Sequence, residues 1–228
     1  MSIGLFLALL IGYLLMCITI GQQLKWYKIS WKKAPAVSLA VILDGLIGSA
    51  LWFYLENHTF GGRSLYGAIF FVPVFFWPIS RYLKVPYTHG MDFAAPSACL
   101  TLSLVKIQCL RENCCQGKFL YIDEDHMYVF FPSQIVEMIT FFILAFVLLF
   151  LSKKESNHGR IYPLGLVLYG GSRFILNFFR GELTPYMLGL SAGSFWSACA
   201  FIIGLIWLCI ARGNKCFRAR EIATQRTN

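Results

Sequence analysis

The sequence predicts an all-α polytopic membrane protein of about seven transmembrane helices, with its N-terminus outside and its C-terminus in the cytoplasm. Composition is the first reason: 57% of the 228 residues are hydrophobic and only 14% are charged, with a mean hydropathy of +0.62. Soluble domains carry about a quarter charged residues. The second reason is a set of seven long apolar segments, each near the ~17–25 residues that cross a ~30 Å hydrocarbon core as a helix. The third is where the basic residues fall between them. The apolar runs are continuous rather than alternating, which argues against a spanning β-barrel.

Taken in order, the first segment is Ile3–Ile20. It has neither a basic stretch before it nor a small-residue cleavage site after it, so it reads as an anchor rather than a leader. Lys25, Lys28, Lys32 and Lys33 separate it from the second, Ala34–Leu55, which carries Asp44 near its middle. The third, Tyr66–Tyr82, follows the pair Gly61-Gly62 and ends at Arg81 and Lys84. The fourth, Phe93–Leu110, is interrupted by Pro96 and bears Lys106. Arg111–Phe131 is then the longest non-apolar stretch, with room for a short helix or a hairpin. The fifth segment, Ser133–Ser152, holds Glu137 and is followed by Lys153, Lys154 and Arg160. Ile161–Phe179 is the sixth; Leu188–Ala211 is the seventh, followed by Arg212, Lys215, Arg218, Arg220 and Arg226.

With the N-terminus outside, fourteen of the 20 lysines and arginines lie on the inner side. The acidic run Asp123-Glu124-Asp125 falls outside. This is the positive-inside pattern. The net charge of +9 is then explained by topology and by attraction to anionic lipid heads, with no nucleic acid required. No linker or repeat divides the chain. It reads as one membrane domain, residues 1–212, and a basic cytoplasmic tail, residues 213–228, whose composition suggests a disordered surface anchor.

The polar residues inside the segments carry the functional signal. A charge at the centre of a bilayer helix costs about 2.5–3.5 kcal/mol on insertion scales, so it is kept where it faces a polar cavity, a partner or a substrate. Arg173 is such a charge, with Asn177 and Arg180 following at i+4 and i+7 on the same helical face. In the assumed orientation Arg173 lies ~10 Å below the outer end of its segment. Lys106 lies about four residues below the outer end of the fourth segment, and Glu137 about one turn below the outer start of the fifth. Two readings follow: structural ion pairs such as Arg173 with Glu137, or a polar pocket open to the outer leaflet whose surplus of cations holds an anion. A second element is Gly61-Gly62-Arg63 before the third segment. Free N–H groups at that helix start, two small residues and one guanidinium suit a phosphate, although a Gly-Gly pair there is also an ordinary turn.

Five motifs resemble one family. They are Gly61-Gly62-Arg63-Ser64-Leu65-Tyr66-Gly67; Asp92-Phe93-Ala94-Ala95-Pro96; and Lys106-Ile107-Gln108-Cys109-Leu110-Arg111-Glu112-Asn113-Cys114-Cys115-Gln116-Gly117-Lys118. Pro132-Ser133-Gln134-Ile135-Val136-Glu137 and Tyr169-Gly170-Gly171-Ser172-Arg173-Phe174-Ile175-Leu176-Asn177-Phe178-Phe179-Arg180 complete the set. In order and spacing over residues 44–180 they are similar to the prolipoprotein diacylglyceryl transferases, membrane enzymes on a seven-helix, N-outside frame. The chain departs from the family pattern at four motif positions. Tyr66 stands at the family's His, Lys106 at its signature Arg, Asn177 at its Glu and Val136 at its Tyr.

The resemblance implies transfer of a diacylglyceryl group from phosphatidylglycerol to the lipobox cysteine of a prolipoprotein signal peptide, at the outer face of a bacterial plasma membrane. It implies Tyr66 and Arg173 at the reacting centre and Gly61, Gly62, Arg63, Lys106, Gly117, Glu137, Asn177 and Arg180 around the substrate. No cofactor is expected, and no metal: Cys109 with Cys114 and Cys115 matches no zinc spacing. Those three cysteines leave a disulfide open in an oxidising compartment. His58 and His126 are loop histidines that stand as substitutes for the missing His. The alternative function is a non-catalytic or transport-like protein that binds an anionic lipid in the same pocket.

Overall fold

Apolar runs free of breakers become helices here, and the breaks fall where glycine, proline or a polar cluster interrupts them. The computed structural model describes residues 3–112, 116–122, 128–180 and 185–227, with side chains described for residues 10–211 of these. Asn113, Cys114, Cys115, the acidic run Asp123-Glu124-Asp125 and His126 lie outside the described residues, as do the side chains of the basic tail and Cys216.

Helix α1 spans Ile3–Trp26, six residues beyond the predicted segment. Helices α2 (Ala34–Leu43) and α3 (Ser49–Asn57) are joined by a π-helical turn, Asp44–Gly48, into one continuous run. After the glycine pair come α4 (Leu65–Phe70) and α5 (Val72–Leu83), divided at Phe71 just ahead of Pro73. The short α6 (Tyr87–Asp92) leads into α7 (Ala94–Arg111). Pro96 does not break α7, because it sits in the first turn, where its missing N–H has no helical partner to lose.

Strands β1 (Phe119–Ile122) and β2 (Tyr128–Phe130) then form an antiparallel hairpin, within the loop that had room for one. Helices α8 (Ser133–Leu151) and α9 (Ile161–Asn177) follow. A second small hairpin, β3 (Pro185–Met187) with β4 (Leu190–Ser191), precedes α10 (Ala192–Thr227). Two expectations are corrected here. The last helix begins at Ala192 rather than Leu188, because Pro185–Ser191 pairs as strands. The tail beyond residue 212 continues the helix to Thr227 instead of being disordered.

Five helical runs among the described residues are long and apolar enough to cross a membrane: Trp31–Asn57, Leu65–Leu83, Tyr87–Arg111, Ser133–Leu151 and Ala192–Ala211. No more than 39% of any of them is buried inside the protein. The remaining apolar surface suits lipid and not water. The core lies between the helices and is filled by Phe76, Phe93, Phe141, Met91, Leu148 and Ile161.

Without a hydrophobic drive between helices in lipid, close packing through small residues takes over. A Cβ added at Gly170 of α9 would lie 2.6 Å from the Ser197 carbonyl and 2.7 Å from the Phe201 nitrogen of α10. Gly48 in the π turn likewise approaches the Gly67 carbonyl of α4, to 3.0 Å from an added Cβ. At the opposite end of α9, Asp92 fixes the helix start. Its Oδ2 accepts from the Tyr27 hydroxyl at 2.6 Å and the Gly159 N–H at 2.5 Å, and its Oδ1 accepts from the Tyr162 N–H at 2.9 Å. These bonds occupy donors that a helix N-terminus leaves unpaired. Burial, reinforced by the Asp92 carboxylate, pushes the Tyr27 phenol well above its ordinary pKa, so it remains a donor.

Candidate functional site

Helix α8 starts with Ser133 and carries Glu137 one turn in, where the side chain is 1% exposed. Its Oε1 accepts from Nη1 of Arg173 on α9, and its Oε2 meets Nζ of Lys106 on α7. Nη1 of Arg180, in the turn beyond α9, lies 3.7 Å from Oε1. One carboxylate therefore faces three cations, a surplus of two positive charges in a largely shielded place. Each buried ion loses several kcal/mol of solvation, and a single carboxylate offsets only part of that for three partners.

The face of α9 that holds Arg173 adds further donors. Tyr169, Arg173 and Asn177 recur at four-residue spacing and all three are buried. The Tyr169 hydroxyl, Arg173 Nε and Asn177 Nδ2 have no hydrogen-bond partner among the described residues. A buried donor left unpaired costs about 1–3 kcal/mol. The site is thus rich in donors and positive charge and short of acceptors. Chemically that arrangement suits an oxyanion.

Tyr66, one residue into α4, borders this face. Its hydroxyl donates to the Gly193 carbonyl at 2.6 Å and lies 3.0 Å from the Ser197 hydroxyl, which itself reaches the same carbonyl at 2.6 Å. Two hydroxyl protons thus serve three contacts. Gly193 is needed at that point, because a Cβ on it would lie 2.8 Å from Asn177 Nδ2. Tyr66 and Asn177 accordingly meet on two sides of one backbone residue.

Gly117 acts on the cluster through the backbone. Its N–H donates to the Phe131 carbonyl at 3.0 Å, the neighbouring Lys118 N–H donates to the Phe179 carbonyl at 2.9 Å, and Gly117 pairs with Arg180 as an antiparallel bridge. A Cβ at position 117 would run into the Phe131 carbonyl. The loop after α7 thereby holds the Arg180 backbone beside Glu137.

The remaining residues singled out from the sequence stand apart. No hydrogen bond or ion pair among the described residues joins Gly61, Gly62 or Arg63 to the Glu137 cluster. Arg63 is exposed, Gly61 has φ +119° and faces open space, and an added Cβ at Gly62 would collide with the Phe53 ring. Asp44 is buried in the π turn with Oδ1 unpaired. Cys109 is a free thiol.

Three residues of the arrangement were absent from the sequence-derived set. Tyr169 had a signal, since it lies four residues before Arg173. Gly193 and Ser197 had none, because a Gly and a Ser in an apolar helix are ordinary packing residues.

The sequence model of the prolipoprotein diacylglyceryl transferase family matches residues 2–210. Over 164 residues the chain is 29% identical to the phosphatidylglycerol–prolipoprotein diacylglyceryl transferase of Clostridium tetani (strain Massachusetts / E88), covering 68% of this chain and 66% of that one. To the protein of the same name from Polaromonas naphthalenivorans (strain CJ2) it is 30% identical over 203 residues, 79% and 74% of the two chains. To that of Dehalococcoides mccartyi (strain CBDB1) it is 26% identical over 171 residues, 70% and 63% of the two. The match thus spans slightly under two thirds of the Clostridium and Dehalococcoides relatives. Bacterial relatives together with five apolar helical runs identify a multi-pass membrane protein. The family match, which runs through every element of the donor-rich cluster, establishes that the chain belongs to the prolipoprotein diacylglyceryl transferase family.

Proposed function

We propose that this protein transfers the diacylglyceryl group of phosphatidylglycerol to the lipobox cysteine of prolipoproteins at the outer face of the bacterial plasma membrane. The observation that carries the reading is the single Glu137 carboxylate among Lys106, Arg173 and Arg180, beside the unpaired donors of Tyr169, Arg173 and Asn177. A phosphodiester supplies the acceptors those groups lack. We assign the frame seven spans with the N-terminus outside and the C-terminus inside, which adds α1 and the short α9 to the five apolar runs. Residues 1–212 form the membrane domain and 213–228 the basic cytoplasmic tail.

In the reaction the acceptor sulfur forms a C–S bond to the terminal glyceryl carbon while the C–O bond to phosphate breaks. The bonding pair leaves with the phosphate oxygen of glycerol phosphate, and the thiol proton ends on that product. Arg173, with Lys106 and Arg180, stabilises the charge that gathers on the departing phosphate. Asn177 donates to the same group, and Gly117 and Glu137 hold the cations in place. Gly61, Gly62 and Arg63 receive the headgroup at the entry to α4. Tyr66 positions the acceptor thiol; with its proton engaged at the Gly193 carbonyl, it acts as a donor and not as a base.

That engagement is also the observation favouring a second reading, in which an anionic lipid is bound in the same pocket without transfer. Labelled phosphatidylglycerol and a lipobox peptide, incubated with folded protein in detergent, separate the two. Thioether product supports transfer. Lipid binding without product leaves the second reading, and absence of both removes the phosphate assignment.

A further inference from the structure

The β1–β2 hairpin is the part of the molecule that the transfer chemistry does not use, and its side chains fit neither water nor the protein interior. All seven strand residues, Phe119 to Ile122 and Tyr128 to Phe130, are apolar or aromatic, and six of the seven are exposed. Successive strand side chains point to opposite faces, so both faces of the hairpin are apolar and uncovered. A two-stranded hairpin by itself is marginal in water. Among the described residues this one is fastened at its base, where Lys118 and Phe131 bond to each other and Lys118 also bonds to Phe179.

We propose that this hairpin lies within the outer interfacial layer of the bilayer, with lipid against both of its faces. The proposal rests on the membrane orientation given above and not on the transfer reaction. Two demands select that layer. The hydrocarbon interior is excluded because open strand edges find no hydrogen-bond partners there. Bulk water is excluded by the apolar faces. The interface supplies water and headgroups for the edges and acyl chains for the rings, and it is where Tyr and Trp gather in membrane proteins.

A lipid surface fits better than a docked peptide. One added strand would satisfy a single edge and leave most of both faces bare. The apolar surface also continues onto the end of α9: Phe131 stacks on Phe179 at 5.1 Å, and Ile175, Phe178 and Phe179 are themselves exposed. Lipid that covers α9 therefore reaches the hairpin.

The test is tryptophan depth quenching in the full chain. Leu120→Trp and Tyr128→Trp, each reconstituted in vesicles of phosphatidylcholine and phosphatidylglycerol, add one emitter to the six native tryptophans, and the difference from the unmodified protein is read. The added emission is expected to be blue-shifted without any peptide present, and to lose most of its intensity when the upper acyl carbons are brominated. Emission at the wavelength of exposed tryptophan without quenching would overturn the proposal. So would a blue shift that appears only after a lipobox peptide is added, since the peptide would then be the occupant. Transfer activity measured on the same vesicles reports separately on the proposed function.

Discussion

Arg173 on α9 and Glu137 on α8 share a charge-assisted hydrogen bond in which Nη1 donates to Oε1, so loss of Glu137 strands Arg173. Lys106 and Arg180 close on the same carboxylate from two further segments, so among the described residues Glu137 is the acid all three cations share.

Glu137→Ala is expected to cost about 3–5 kcal/mol of stability, the range for stranding buried charge. Lys106→Met should cost less, because Arg173 and Arg180 still face the carboxylate. Thermal unfolding of both variants in the same detergent checks the order; equal losses would mean that the cluster does not act as a unit.

Removal of the Arg173 guanidinium should act mainly on ligand affinity. Arg173→Ala is expected to weaken binding of labelled phosphatidylglycerol by roughly the 2–5 kcal/mol typical of truncating a buried charged contact. Arg173→Lys should recover part of this, since it restores charge but not the planar fork. Unchanged binding in Arg173→Ala would remove both functional readings.

Tyr66→Phe deletes the donor to Gly193 and should lower stability by about 0.5–1.5 kcal/mol, the net worth of one hydrogen bond. Its effect on transfer should be larger than its effect on lipid binding. Tyr66→His sets the sharper comparison: if that variant transfers and the native chain shows no product, the catalytic reading of this protein fails.

Close backbone packing gives a prediction independent of function. In Gly170→Ala the new methyl faces backbone atoms of α10 that cannot rotate away, so a loss of about 1–3 kcal/mol is expected. At Gly12 a Cβ would meet nothing within 4 Å, and Gly12→Ala should leave the unfolding temperature unchanged or raised.

Asp92→Ala should loosen the far end of α9, since it leaves the Tyr27 hydroxyl and the N–H groups of Gly159 and Tyr162 without their acceptor. Hydrogen exchange at residues 159–162 should speed up. If it does not, those amides are protected by something other than the carboxylate.

Much of this architecture was legible because a membrane leaves few options. Continuous apolar runs had to be helices, and the buried charges had to find one another. Arg173, Asn177 and Arg180 could be placed on one face by counting, and Glu137, the partner of the two arginines, by chemistry. Pairings set by tertiary packing were not legible. Nothing local to Tyr66 says that it meets Gly193 and Ser197 more than 120 residues later. Gly62 reads in sequence as room for a ligand, whereas Phe53 occupies that room. The stretch after α7 reads in sequence as a non-apolar interval with room for a short helix or a hairpin, and the choice between them was not legible because its apolar strands are too short to register as segments.

The π turn at Asp44–Gly48 has a consequence for the length of its helix. Such a turn accommodates one residue more than the rise of a regular helix would use. The half of the helix that follows the turn, with Trp52 against Phe70 and Trp196, is therefore in phase with the half before it only because the surplus is absorbed locally. Deletion of one residue between 44 and 48 should leave Trp52 on the same side of the bundle. Insertion of one residue above the turn, with no second bulge to take it up, would rotate Trp52 by about 100° into lipid. The chain carries a spare position in this helix, and indel tolerance should be confined to it.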